Sequence, residues 1–190
     1  MNIFVLDNDP VVAAQLQCNK HVVKMILESA QMLSTVHRYL DGSEYVSISK
    51  NGRKIKRWTH WTDSINSPIR LYKSVMINHP CTIWSWKSLD NYIWHCNHAL
   101  ALCAEYTHRY GRTHKTQPII EWCSLNYPYN LYFNGLTEFA QAMPDEYKNG
   151  NPVEAYRAYY RGEKSGFAKW TNRDIPEWFL TNDKTMIQCV

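Results

Sequence analysis

Five polar residues, Lys20, His21, Lys24, Glu28 and Gln31, fall in a stretch whose other positions are mostly apolar. Helical steps of three and four residues place Lys20, Lys24, Glu28 and Gln31 along one side, with His21 adjacent. Such a set offers a general acid or base, a cation for phosphate and an amide for base recognition to one cleft. The same spacing suits a solvated face carrying one routine Lys24–Glu28 ion pair, worth ~0.3–0.5 kcal/mol. Spacing alone leaves both readings open.

A second cluster runs Arg53, Lys54, Lys56, Arg57, then Trp58, His60 and Trp61. Basic side chains interleaved with large aromatics suit a phosphate backbone with bases or a kinked duplex nearby. The alternative is an edge strand protected from aggregation by its charge. Of the eight histidines, those in Trp94-His95-Cys96-Asn97-His98 invite a metal reading. Zinc usually asks for ligands four residues apart on a helix or a CxxC knuckle, and this run supplies neither, so no metal and no cofactor are expected. The glycine-rich nucleotide cradles and the GxSxG hydrolase elbow find no match.

These groups need elements to hold them. Met1 to Asp7 is a short apolar stretch, and Asp9 can cap a helix that begins at Pro10. From Val11 to about Leu40 apolar residues recur at helical spacing, which predicts one long helix stopped by Asp41-Gly42. Tyr45 to Trp58 alternates on both sides of Asn51-Gly52, predicting a β-hairpin with a type I′ turn. A short helix is expected from Pro68 to about Ile77, and a second long one from Cys81 to Tyr110 with Gly111 at its end. Thr116 to Leu125 and Pro152 to about Arg161 read as further helices. The tail holding Trp170, Pro176, Trp178 and Phe179 has apolar anchors without periodicity. The expectation is a mainly α, compact helical bundle built on two long helices, with a small β-hairpin elaboration. One domain would span residues 1–190, with the hairpin inserted at about 44–60 and an irregular C-terminal wrap over about 165–190.

At 190 residues, 45% hydrophobic and 20% charged, the chain can bury a core without metal or disulfide. An aromatic share of 14% serves packing or base stacking equally. The net charge of +4 is a modest basic bias that suits a polyanionic partner. The six cysteines are dispersed, no charged-then-apolar leader precedes them, and no apolar run reaches the ~20 residues of a membrane span. Free thiols, a cytoplasmic location (the host cytoplasm for a phage-encoded protein), no membrane partner and a monomer are expected.

Asn19-Lys20-His21, followed seven residues later by Glu28, resembles the start of the pyrimidine-dimer DNA glycosylase and AP-lyase family of the phage T4 endonuclease type. His79-Pro80, Trp84, Leu102, Ala104-Glu105-Tyr106 and Arg109-Tyr110-Gly111 are similar to that family's HP…W…AEW…RGY pattern in order and spacing, and Pro176-Glu177-Trp178-Phe179 to its aromatic tail. Together these cover about half the chain. The resemblance implies a bundle whose N-terminus threads between two long helices. It also implies a terminal α-amine that attacks the sugar C1′, releases the damaged base and forms an imine that permits strand cleavage. Glu28 matches the catalytic glutamate, and Lys20 and His21 match positions near bound DNA. Two departures matter. Asn2 is bulky, which favours retention of Met1 and makes its amine the nucleophile. The arginines flanking the family's glutamate fall on Leu27 and Gln31, so an altered or hypermodified base is as suitable a substrate as a pyrimidine dimer.

The leading expectation is therefore a DNA glycosylase excising a damaged or modified base. Glu28 and the amine of Met1 would be catalytic, and Lys20, His21, Lys24 and Gln31 would hold the substrate. Arg53, Lys54, Lys56, Arg57, Trp58 and Trp61 would grip DNA, double-stranded by preference, with RNA left open. Without the amine, Glu28 would activate water. A non-catalytic nucleic-acid- or partner-binding module, and an enzyme of free nucleotides or nucleotide sugars, are the alternatives.

Overall fold

The computed structural model describes residues 1–180. The fold is mainly helical with one two-stranded antiparallel hairpin among the described residues. Met1 to Leu6 is a segment without regular structure in which Ile3, Phe4, Val5 and Leu6 are at most 5% exposed. Helix α1, Pro10–Gln15, starts as expected: the Asp9 carboxylate accepts from the amides of Val11 and Val12 at 2.8 and 3.0 Å, and proline occupies the first turn.

The expected helix from Val11 to Leu40 is broken. α2 begins anew and covers Asn19–Asp41, with Cys18 extended before it. The break is stabilised by tertiary partners for the backbone groups it frees. Gln15 O accepts from Arg109, Leu16 O from the Trp170 indole, and Asn19 N donates to Lys169 O. It also turns the Gln17 amide into the core, where Nε2 donates to Ile3 O at 2.9 Å and meets His98 Nε2 at 3.1 Å.

β1 (Ser43–Ile48) and β2 (Lys54–Thr59) pair in the register Ser43↔Thr59 to Ile48↔Lys54. The turn is not the expected type I′. Ser49 N bonds Arg53 O, Gly52 N bonds Ser49 O, and Gly52 alone in the turn has positive φ (+74°). That pattern is a three-residue loop with a left-handed glycine, the wider of the common hairpin connections. Gly42, between α2 and β1, is required for close approach, since a Cβ there would stand 2.2 Å from Thr59 O and 2.3 Å from Arg38 O.

The helix expected over Pro68 to Ile77 is absent. The segment is extended, because side chains of α2 take its backbone groups. Ser34 Oγ accepts from Tyr72 N, Thr35 Oγ1 from Val75 N, and Arg38 donates to the carbonyls of Leu71 and Tyr72. The second expected long helix is also two: α3 (Pro80–Lys87) and α4 (Leu89–Tyr110). Ser88 between them is extended and caps α4 by accepting from Asn91 N at 3.1 Å, while Leu89 N donates to Tyr132 O. α5 (Gln117–Leu125) and α6 (Pro152–Glu163) lie where the pattern placed them.

The tail crosses α1, α2 and α4 through Trp170, Thr171 and Arg173, which bond Leu16 O, Asn19 and Glu105 respectively, and it ends in the one-turn α7 (Glu177–Leu180). The remainder of the expected wrap, 181–190, with Cys189, lies outside the described residues. The five described cysteines are buried and unpaired. No helix among the described residues is long and apolar enough to cross a membrane.

Candidate active site

The first residues of the chain are locked against α2. Asn2 fixes them: its Oδ1 accepts from the amides of Ile3 and Phe4 at 2.8 and 3.1 Å, and its Nδ2 donates to Ala142 O at 2.7 Å. Phe4 adopts φ +56°, a left-handed conformation that costs a phenylalanine about 1–3 kcal/mol and persists because its surroundings fix it. Its ring stacks on His21 at 4.2 Å and meets Tyr160 edge-on.

This arrangement aims the start of the chain at Glu28. Glu28 Oε2 accepts from Asn2 N at 3.0 Å and lies 3.7 Å from the α-amine of Met1. Its Oε1 lies 3.3 Å from Lys24 Nζ, one helical turn earlier. The Glu28 side chain is 11% exposed and Lys24 66%, so a buried carboxylate is approached by an amine from inside and by a lysine from the solvent side. His79 stands beside the same amine. Burial lowers its pKa first, and the amine's charge lowers it further, against the opposing charge of Glu28 and a contact with the Met1 backbone.

His21, one turn before Lys24, is not placed as an acid. Its Nδ1 meets the Tyr160 hydroxyl within the core. Burial, then the charges of Lys164, Lys24 and Lys20, push its pKa down to about 3, so it is a neutral support for Phe4 at physiological pH.

An open groove of about 750 Å³ is bordered by Asn19, Lys20, His21, Val23, Lys24, Tyr110, Lys164, Phe167 and Lys169, and it adjoins the Glu28 site through Lys24. Four lysines thus face one depression, joined by a ring: Lys20 Nζ lies 4.4 Å from the centre of Phe167. The only one of the four with a carboxylate partner among the described residues is Lys24. Lys164, Phe167 and Lys169 did not emerge from sequence reasoning. They follow α6 in an aperiodic stretch, and the Lys169 O–Asn19 N bond that carries this stretch to α2 is long-range.

The remaining sequence-selected residues fall into two groups. Gln31 is half-buried one turn beyond Glu28. The hairpin leaves the C-terminal end of α2, and its second strand lies along residues 74–77, with Ile55, Lys56, Arg57 and Trp58 facing Ser74, Val75, Met76 and Ile77 across a shared depression. There Trp58 is buried and packs edge-on against Tyr39, Arg57 donates to Ser74 O, and Lys56 pairs with Glu44 at 2.9 Å. Arg53, Lys54 and Trp61 are exposed. The basic hairpin residues border a different depression from the one bordered by Lys20 and Lys24.

Histidines 95 and 98, the pair weighed for metal, are buried in the core, each with a ring nitrogen lacking a partner. A different set of possible ligands does converge: His37, Asp41 and His60, whose ligand atoms all lie within 4.8 Å of one another. His37 and Asp41 are four residues apart on α2, a spacing readable in the sequence, whereas His60 arrives only through the hairpin. Comparison of the chain with protein-family models, with curated proteins and with solved structures finds no match.

Proposed function

We propose that the protein is a DNA glycosylase acting on a damaged or modified base, with Glu28 as its essential carboxylate and the Met1 α-amine as nucleophile. The observation that carries this reading is the amine held 3.7 Å from a buried glutamate beside a groove of four lysines. In its unprotonated form an α-amine is a nucleophile toward an electrophilic sugar carbon. It attacks C1′ as the glycosidic bond breaks, and the electron pair and a proton leave with the base. Loss of a proton from the nitrogen and opening of the sugar give an imine. Removal of a C2′ proton then expels the 3′-phosphate by β-elimination. Glu28 is positioned to steady the cationic stages and to accept a proton. The lysine groove supports the strand, with Lys20 and Lys24 at its rim and Lys164 and Lys169 opposite. The earlier resemblance to pyrimidine-dimer glycosylases gives the same roles to Glu28 and the terminal amine.

Borohydride trapping on DNA carrying ultraviolet dimers, abasic sites or hypermodified bases tests the reading. Wild type is expected to form a covalent protein–DNA product on at least one substrate, with the modified peptide beginning at Met1. Glu28→Gln is expected to lose about 10²–10⁴-fold in rate. A one-residue N-terminal extension abolishes trapping. Base release that survives the extension shows water as the nucleophile. Binding with no Glu28-dependent reaction on any of the substrates overturns the enzyme reading in favour of a binding module.

A further inference from the structure

We propose that His37, Asp41 and His60 form a binding site for a divalent transition-metal ion of the zinc type, separate from the Glu28 site and clasping the end of α2 to the base of the hairpin. The three side chains come from two elements. His37 and Asp41 stand one turn apart on α2, and His60 follows β2, with all three ligand atoms within 4.8 Å of one another.

Each side chain is held for the task. The Asp41 carboxylate accepts from Tyr129 N at 3.0 Å and has no ion-pair partner among the described residues, in contrast to neighbouring Asp63, which is paired with Arg38. His60 Nδ1 meets Thr62 Oγ1 at 2.9 Å and accepts from Thr62 N at 3.3 Å; an ion at Nε2 takes the tautomer with its proton on Nδ1, which keeps the bond to Thr62 Oγ1 and gives up the one from Thr62 N. His37 Nε2 meets the Tyr92 hydroxyl at 2.8 Å, and that hydroxyl reaches Cys123 O at 3.4 Å. With its proton on Nε2, His37 presents Nδ1, and an ion there replaces the ring's contact with the Asn126 backbone. Hydrogen bonds of this kind at the distal nitrogen orient metal-binding imidazoles in general.

The surroundings favour the ligating form. The Trp122 ring lies 5.1 Å from His37 and the Trp61 ring 5.5 Å from His60, an apolar wall that limits access by water. Two imidazoles and one carboxylate select zinc, cobalt or nickel over magnesium and calcium, which prefer all-oxygen ligands. Three protein ligands leave a fourth position for water.

The test uses the full chain, free of any affinity tag and stripped with chelator. Zn2+ is titrated by calorimetry, Co2+ by its visible absorption, and thermal unfolding is followed with each. Expected are one ion per chain, a raised Tm, and no response to Mg2+ or Ca2+. Asp41→Asn, at a half-exposed position, and His60→Ala each weaken zinc binding about tenfold or more. His108→Ala, a change at an exposed histidine, leaves it intact. Absence of zinc binding, or binding that survives Asp41→Asn unchanged, overturns the proposal. The trapping reaction at Glu28 is unaffected by either result, so the two readings stand or fall separately.

Discussion

The two ends of α2 treat charge in opposite ways. Near its C-terminus Arg38 is 2% exposed, and its guanidinium donates to the carbonyls of Trp58, Leu71 and Tyr72 and to both oxygens of Asp63. Near its N-terminus Lys20, together with Lys164 and Lys169 from the stretch after α6, borders an open groove with no carboxylate partner among the described residues, Lys164 spending one donor on the Tyr159 hydroxyl at 3.0 Å. A cation whose donors are all used fixes the protein's own backbone, and one whose donors are free is available to an anion. The hairpin is mixed: Arg57 is spent on the Ser74 carbonyl and Lys56 is paired at the surface with Glu44, while Arg53 and Lys54 are exposed.

The largest effect expected from this contrast is on stability. Arg38→Ala leaves three carbonyls without their donor and removes the cation from the half-exposed Asp63 carboxylate, a loss of about 3 kcal/mol or more, chiefly from the unsatisfied carbonyls. At roughly 2–4 °C per kcal/mol for a chain of this size, thermal unfolding falls by on the order of 10 °C. Arg38→Lys recovers only part, because an ammonium cannot serve the same planar fork of acceptors. A Tm for Arg38→Ala within about a degree of wild type would show that the network is not what holds the hairpin and the extended 68–77 segment to α2.

A smaller effect separates the two basic regions as DNA contacts. Lys164→Ala with Lys169→Ala is expected to reduce the dependence of log binding constant on log salt by about 2, near 0.9 for each lost phosphate contact. Arg53→Ala with Lys54→Ala, at the exposed hairpin tip, is expected to reduce it by less. Fluorescence anisotropy across a salt series measures both. Equal slopes would make the hairpin a second arm of the interface. A change confined to the hairpin pair would remove the groove from the DNA-binding surface.

How much of this was readable beforehand depends on the range of the interaction. Local signals were legible: the Asp9-Pro10 start, the Asp41-Gly42 stop, the Pro152 start of α6 and the Lys24–Glu28 step are all decided within four residues. Breaks at Leu16 to Cys18 and at Ser88 were missed, because the chain leaves the helix there for distant partners such as Trp170, Lys169 and Tyr132. Residues 68–77 were misread for the same reason, since donors and acceptors on α2 replace an intrahelical ladder. For the site, the sequence offered Glu28 and its lysine. The amine beside Glu28 was suggested only by family resemblance, and the far wall of the groove depended on how 164–169 returns to α2.

The smallest effect distinguishes the same two regions by acid. Hydrogen bonding to Arg38 is the main cause that lowers the Asp63 pKa to about 2 from its usual value of 3.8, outweighing the opposing effect of burial. A depressed carboxylate adds stability that is complete above the unfolded-state pKa and is lost as pH falls through the folded one, so the Asp63 contribution fades between about pH 4 and 2. His21, in the N-terminal region, is lowered from 6.5 to about 3, mainly by burial. The unfolded chain therefore takes up the proton first, and the His21 contribution is lost from about pH 6.5 downward. Urea midpoints of wild type and Asp63→Asn across this range are expected to differ by a constant amount above pH 5 and to converge toward pH 2. His21→Phe is expected instead to make the profile less steep between about pH 6.5 and 3, removing one of four buried histidines lowered to about 3. If the gap between wild type and Asp63→Asn already closes near pH 6, the Arg38–Asp63 pair is not the source of the low-pH dependence, and the contrast between the saturated and the open end of α2 loses its electrostatic basis.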